Sequence, residues 1–156
     1  MRLATKTAAI VLAADQGSKL AVVHGLGLDT VGRIDVIPPW LSFRMAWNQG
    51  INFGLFSHSA EIARWLLIAL ALAISIWIWR WVSREPHQPR VLISAGLLIG
   101  GAIGNVVDRV LYGAVADFLN MSLPWFDNPY SFNLADVTIF LGAVGLVFFT
   151  GREKTP

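Results

Sequence analysis

The sequence predicts a mainly α-helical membrane protein with four transmembrane helices, a small extracytoplasmic β-sheet and a short outer loop or helix. Three observations carry that prediction. Hydrophobic residues make up 55% of the 156 positions and charged residues only 14%, giving a mean hydropathy of +0.58, too apolar for a soluble domain of this length. The apolar residues fall into four runs, about 7–23, 62–82, 91–111 and 132–150. Lys and Arg gather at one set of run ends, as membrane topology requires.

The same numbers exclude several functions. The chain has no cysteine, so thiol catalysis, disulfides and Cys-ligated metals are ruled out. His24, His58 and His87 are scattered without metal-ligand spacing, so no metal or other cofactor is expected. The net charge of +2 is not clustered into a basic patch, and no nucleic-acid partner is expected.

In chain order, Met1 to Lys6 is basic and leads into the first run. A cleaved signal peptide is one reading. Against it, Asp15 and Lys19 interrupt the apolar core and apolar residues resume beyond them, which favours a retained span. In the outer segment 25–60, Leu41, Phe43, Met45 and Trp47 alternate with Ser42, Arg44 and Ala46. This period of two predicts a half-buried strand. Gly32 to Ile37, closed by Pro38-Pro39, is its expected partner, and Asn48-Gln49-Gly50 marks a turn.

Ser59 and Glu61 predict the start of the second span, with a capping oxygen and a first-turn carboxylate. Trp65 stands near one end and Trp77, Trp79 and Trp81 near the other, an interfacial belt. The third span carries Gly96, Gly100 and Gly104 four residues apart, a stripe for close helix approach. Its last turns hold Asn105, Asp108 and Arg109. A segment 112–131 containing Asp117 leads to the fourth span, which opens with Asn133 and Asp136. The whole chain reads as one domain.

With four spans both termini share a side. Arg2, Lys6, Arg80, Arg84, Arg90, Arg152 and Lys154 lie there, against Arg33 and Arg44 opposite and Arg64 just inside the second span. The positive-inside rule therefore places both termini in the cytoplasm and the segments 25–60 and 112–131 outside. Asp15, Lys19, Asn105, Asp108, Arg109, Asp117, Asn133 and Asp136 then share the outer part of the membrane.

Left unpaired, Asp15, Lys19, Asp108 and Arg109 would together cost on the order of 10 kcal/mol, so they must pair. Asp15 and Lys19, at i and i+4, are placed for an ion pair. Asp108 and Arg109 are adjacent, point apart and require different partners. Asp117 and Asp136 have two readings. Asn133-x-x-Asp136 fits a helix N-cap with an acidic third residue, and Asp117 fits a solvated loop carboxylate. Alternatively the two meet, share one proton and activate a water for peptide hydrolysis without metal or covalent intermediate.

Five segments together resemble the signature blocks of the bacterial lipoprotein signal peptidases, or signal peptidase II. They are Asp15-Gln16-Gly17-Ser18-Lys19, Asn48-Gln49-Gly50, Gly104-Asn105-Val106-Val107-Asp108-Arg109, Val115-Ala116-Asp117-Phe118 and Phe132-Asn133-Leu134-Ala135-Asp136. The likeness spans nearly the whole chain. Ile51-Asn52 departs from the small residues frequent after the second block.

The resemblance implies an aspartic peptidase of the bacterial inner membrane. Such an enzyme removes the signal peptide of a prolipoprotein just before its diacylglyceryl-cysteine. Asp117 and Asp136 would then be the catalytic pair, Asn105, Arg109 and Asn133 would orient it, and Asp15, Lys19, Asn48, Gly50 and Asp108 would support it. Contact with membrane lipid, inhibition by the cyclic peptide globomycin and a monomeric state are also implied. Three rivals remain at this level: a small transporter or proton pathway, a Ser18/Lys19 peptidase, and a non-catalytic assembly factor.

Overall fold

The computed structural model describes residues 1–50 and 57–150, with side chains from residue 61 onward in the second segment. Ile51-Asn52, the capping oxygen of Ser59 and the basic pair Arg152 and Lys154 lie outside what is described.

Helix α1 (Arg2–Lys19) passes into a π-helical turn over Leu20–Gly25. A short helix α2 (Leu28–Val31) and strands β1 (Arg33–Ile37) and β2 (Leu41–Asn48) follow. Next come α3 (Ser57–Arg84), α4 (Pro89–Tyr112), β3 (Val115–Met121) and α5 (Leu134–Thr150). Two helical stretches, Glu61–Arg84 and Pro89–Tyr112, are long and apolar enough to cross a membrane, and Leu134–Thr150 is a shorter apolar helix.

Helix α4 is the hub, packing on α1, α3 and α5. Its glycine stripe faces α1. A Cβ at Gly96 would stand 2.6 Å from the Ala4 carbonyl oxygen, and one at Gly100 would stand 2.7 Å from that of Ala8. The backbones touch because these positions have no side chain. Gly101 serves α5 in the same way, 2.5 Å from the Ala135 oxygen. Against α3, the seam is Ile78, Val82, Val91, Ala95, Leu98 and Ile99.

The strands form one antiparallel sheet in the order β1-β2-β3. The expected β1–β2 pair is present. The third strand, however, lies in the segment 112–131, where the sequence suggested a loop. Val115, Ala116, Asp117 and Phe118 are all buried, so β3 shows no alternation of polar and apolar residues. Period-two reasoning finds half-buried strands and passes over fully buried ones. Phe118 and Ala116 pack with Val23 and Leu28, closing the sheet onto the end of α1.

Candidate active site

Local chemistry places each side chain before the elements converge. Asn133 and Asp136 form the expected capping box: the Asp136 N–H donates to Asn133 Oδ1 at 2.9 Å, and the Asn133 N–H donates to Asp136 Oδ2 at 3.3 Å. Just before them, Phe132 pairs with Leu119 of β3 through two backbone hydrogen bonds of 2.8 and 2.9 Å. That pairing brings the start of α5 beside Asp117.

Asn48 ends β2 diagonally across the sheet from Asp117, since its own partner is Val115. Its Nδ2 donates to Asp117 Oδ2 at 3.0 Å, and its Oδ1 accepts the Gly50 N–H at 2.8 Å. Gly50 has φ +90°, a conformation that side chains disfavour. A Cβ there would also collide with Leu67 Cδ1. The glycine thus fixes which end of the Asn48 amide faces Asp117.

A chain of amides links the two carboxylates. Asn133 Nδ2 donates to Asp117 Oδ1 at 2.6 Å and to Asn105 Oδ1 at 3.2 Å, while Asn105 Nδ2 donates to Asp136 Oδ1 at 2.9 Å. Asp117 is only 3% exposed and sits on a strand, not in a solvated loop. Burial pushes its carboxyl group up to about 6. The Asn48 hydrogen bond opposes this, the Asp136 charge adds to it, and Asn133 and Lys19 also oppose it.

Behind this pair lies the predicted ionic support. Lys19 Nζ lies 2.8 Å from Asp15 Oδ2 and 2.7 Å from Asp108 Oδ2, with all three residues buried. Its third neighbour is Asn105 Oδ1 at 3.5 Å. Backbone adds two more contacts: Ala135 N–H donates to Asp15 Oδ1 at 3.0 Å, and Ala116 N–H donates at 3.1 Å to Asp108 Oδ2, the oxygen that Lys19 also meets. The triad therefore ties α1, α4, β3 and α5 together. Gln16, absent from the expected site residues, joins the triad: its Nε2 bridges Asp15 Oδ2 and Asp108 Oδ1 at 3.1 and 2.9 Å. A single amide one residue after Asp15, in an apolar helix, was the available signal.

Arg109 points the other way. It lines a groove of about 300 Å³ with Asn105, walled by Leu67, Leu70, Ile74, Ala102 and Ile139. Its Nη1 reaches the Asn105 carbonyl at 3.5 Å, while its Nε is buried and meets no acceptor among the described residues. An apolar groove thus ends at a cation and an amide, Arg109 and Asn105, and Asn105 connects it to Asp136. Ser18 is not part of it: its hydroxyl donates to the Asp15 carbonyl at 2.8 Å.

Comparison with known proteins gives one consistent answer. The family model Peptidase_A8, described as signal peptidase (SPase) II, matches residues 7–151. The lipoprotein signal peptidase of Methylobacterium sp. (strain 4-46) is 39% identical over 149 residues, 95% of this chain and 88% of that protein. That of Rhodopseudomonas palustris (strain TIE-1) is 36% identical over 151 residues, 95% of this chain and 91% of its own. Two bacterial membrane enzymes solved by the in meso method share the fold. Their TM-scores are 0.75 and 0.80 at 23% and 24% identity, covering 99% of this chain and 91% and 96% of theirs.

Proposed function

This chain belongs to the signal peptidase II family, and we propose that Asp117 and Asp136 are the pair with which it cleaves the signal peptide from prolipoproteins. The observation that carries the reading is the amide chain Asp117–Asn133–Asn105–Asp136, whose Asn105 lines the apolar groove. It positions two carboxylates from separate elements and leaves Arg109 facing the groove.

In this mechanism Asp117, the buried member with the raised affinity for protons, holds the shared proton and donates it to the oxygen of the scissile carbonyl. Asp136, in the first turn of α5, removes a proton from the attacking water. The new C–O bond forms as the C=O π bond opens. Collapse of the tetrahedral species then breaks the C–N bond, with a proton passing to the leaving amine. Arg109 and Asn105 supply donors to the substrate backbone in a site largely shielded from water.

The same reading has α1, α3, α4 and α5 crossing the bacterial inner membrane, with both termini cytoplasmic and the sheet outside. Of these, α1 crosses with its internal charges paired. The groove opens between α3, α4 and α5, so a substrate anchored by diacylglyceryl-cysteine reaches it laterally from the outer leaflet. Globomycin inhibition and action as a monomer belong to this reading. The buried charged residues among those described, Asp15, Lys19, Asp108 and Asp117, gather at one end rather than forming a path through the membrane, which speaks against a proton pathway.

The decisive experiment uses purified protein in detergent with a diacylglyceryl-modified prolipoprotein. Cleavage should persist in chelator and with thiol reagents, and should fall by about 10³-fold or more in Asp117→Asn and in Asp136→Asn. Undiminished turnover in either variant would sink the pair.

A further inference from the structure

Helix α3 packs chiefly on α4, and its opposite face carries a second, unassigned feature. Ala73, Ile76, Trp77, Arg80, Trp81 and Arg84 line one shallow concavity of about 430 Å³. Their spacing of three and four residues puts them on a single helical stripe. Trp77 is 69% exposed, and the Trp81 ring lies tilted against that of His87, with centroids 4.8 Å apart. Arg80 and Arg84 are exposed, and among the described residues neither forms an ion pair, not even with the adjacent Glu85.

A basic helix end and interfacial indoles are what topology alone requires. Topology does not require two guanidiniums one turn apart, unpaired, on the stripe that also bears two indoles and then turns apolar. We propose that this concavity binds one anionic phospholipid of the leaflet facing the 85–88 connector. The lipid phosphate lies between Arg80 and Arg84, and an acyl chain runs past Trp77 onto Ile76 and Ala73.

Charge complementarity selects the occupant. Planar guanidiniums bind phosphate oxygens in paired hydrogen bonds, and a basic pocket at a helix end suits an anionic head group. The length also fits. Eleven residues separate Ala73 from Arg84, a rise of about 16 Å, close to the ~15 Å hydrocarbon depth of one leaflet. The small Ala73 leaves room for the chain. The consequence reaches the groove, because its Leu67, Leu70, Ala71 and Ile74 wall belongs to the same helix. A lipid held on the outer face steadies a helix that the protein braces mainly on one side.

The inference rests on the membrane reading but not on the catalytic one, since it involves neither Asp117 nor Asp136. The test is thermal unfolding of the full chain in detergent with added phosphatidylglycerol, phosphatidylcholine or inorganic phosphate. Phosphatidylglycerol should raise Tm by about 5 °C more than phosphatidylcholine, and free phosphate should do nothing. The R80Q/R84Q variant should lose that difference while keeping its Tm in phosphatidylcholine, whereas R2Q/K6Q should retain it. Native mass spectrometry of the wild type should show a retained phosphatidylglycerol adduct. Equal shifts with both lipids, a shift with free phosphate alone, or a difference that survives in R80Q/R84Q would overturn the site.

Discussion

Asn133 holds Asp117 by a 2.6 Å hydrogen bond from its amide nitrogen, while the oxygen of the same amide caps α5 at Asp136. One side chain thus starts a helix and positions a carboxylate on a separate strand. The two tasks use different atoms, so substitution can separate them. Ser keeps a capping oxygen and removes the donor. Asn133→Ser should therefore lower stability by only about 1–3 kcal/mol, the cost of leaving the buried Asp117 oxygen without that donor, yet reduce kcat by about 10²-fold. Thermal unfolding and cleavage assays on one preparation would check this, and parallel losses would reduce Asn133 to a cap.

The raised proton affinity of Asp117 makes stability depend on pH. Its carboxyl group rises from the ordinary 3.8 to about 6 in the fold, so the native state keeps a proton that the unfolded chain has released. This contribution is favourable below about pH 4, declines as pH rises and is lost above about 6, a change on the order of 2 kcal/mol. Unfolding from pH 4 to 7, compared between wild type and Asp117→Asn, should show this slope only in the wild type. A slope of opposite sign would mean that Asp117 is held charged.

The buried triad predicts an asymmetry between its members. Asp15→Asn leaves Lys19 paired with Asp108, so folded yield should fall while the rate per folded molecule changes little. Lys19→Met strands two carboxylates of 0% exposure without their cation, a loss of about 3–5 kcal/mol. Expression and size-exclusion profiles should rank Lys19→Met well below Asp15→Asn. A drop in turnover without loss of yield in Asp15→Asn would move that residue into the chemistry.

Two glycines should respond in opposite directions to the same change. A Cβ at Gly17 meets nothing within 4 Å, whereas one at Gly100 lies 2.8 Å from Val11 Cβ as well as against the Ala8 backbone. Gly17→Ala should stabilise by about 0.5–1 kcal/mol through helix propensity. Gly100→Ala should destabilise by about 1–3 kcal/mol because α1 must retreat. Tm values measured in one detergent would decide both.

Much of this was legible in the sequence because it depends on spacing along one element. The Asp15–Lys19 pair, the Asn133–Asp136 capping box, the β1–β2 pair and the glycine stripe of α4 all repeat with the period of a helix or a strand. The ordered blocks from Asp15 to Asp136 also sufficed to place the chain in its family. What spacing cannot express is which elements meet. Asp117 read equally as a solvated carboxylate until β3 was seen buried between β2 and the start of α5. Asn48, which holds it, lies 69 residues away, and Gln16 joins Asp108 across 92. Burial and long-range hydrogen bonds arise only when packing removes water from between separate elements. The sequence by itself therefore determined the membrane class, the helices and the polar residues that needed partners. Only the tertiary structure decided that Asp117 is buried, that Asn133 and Asn105 bridge it to Asp136, and that Arg109 turns toward the groove.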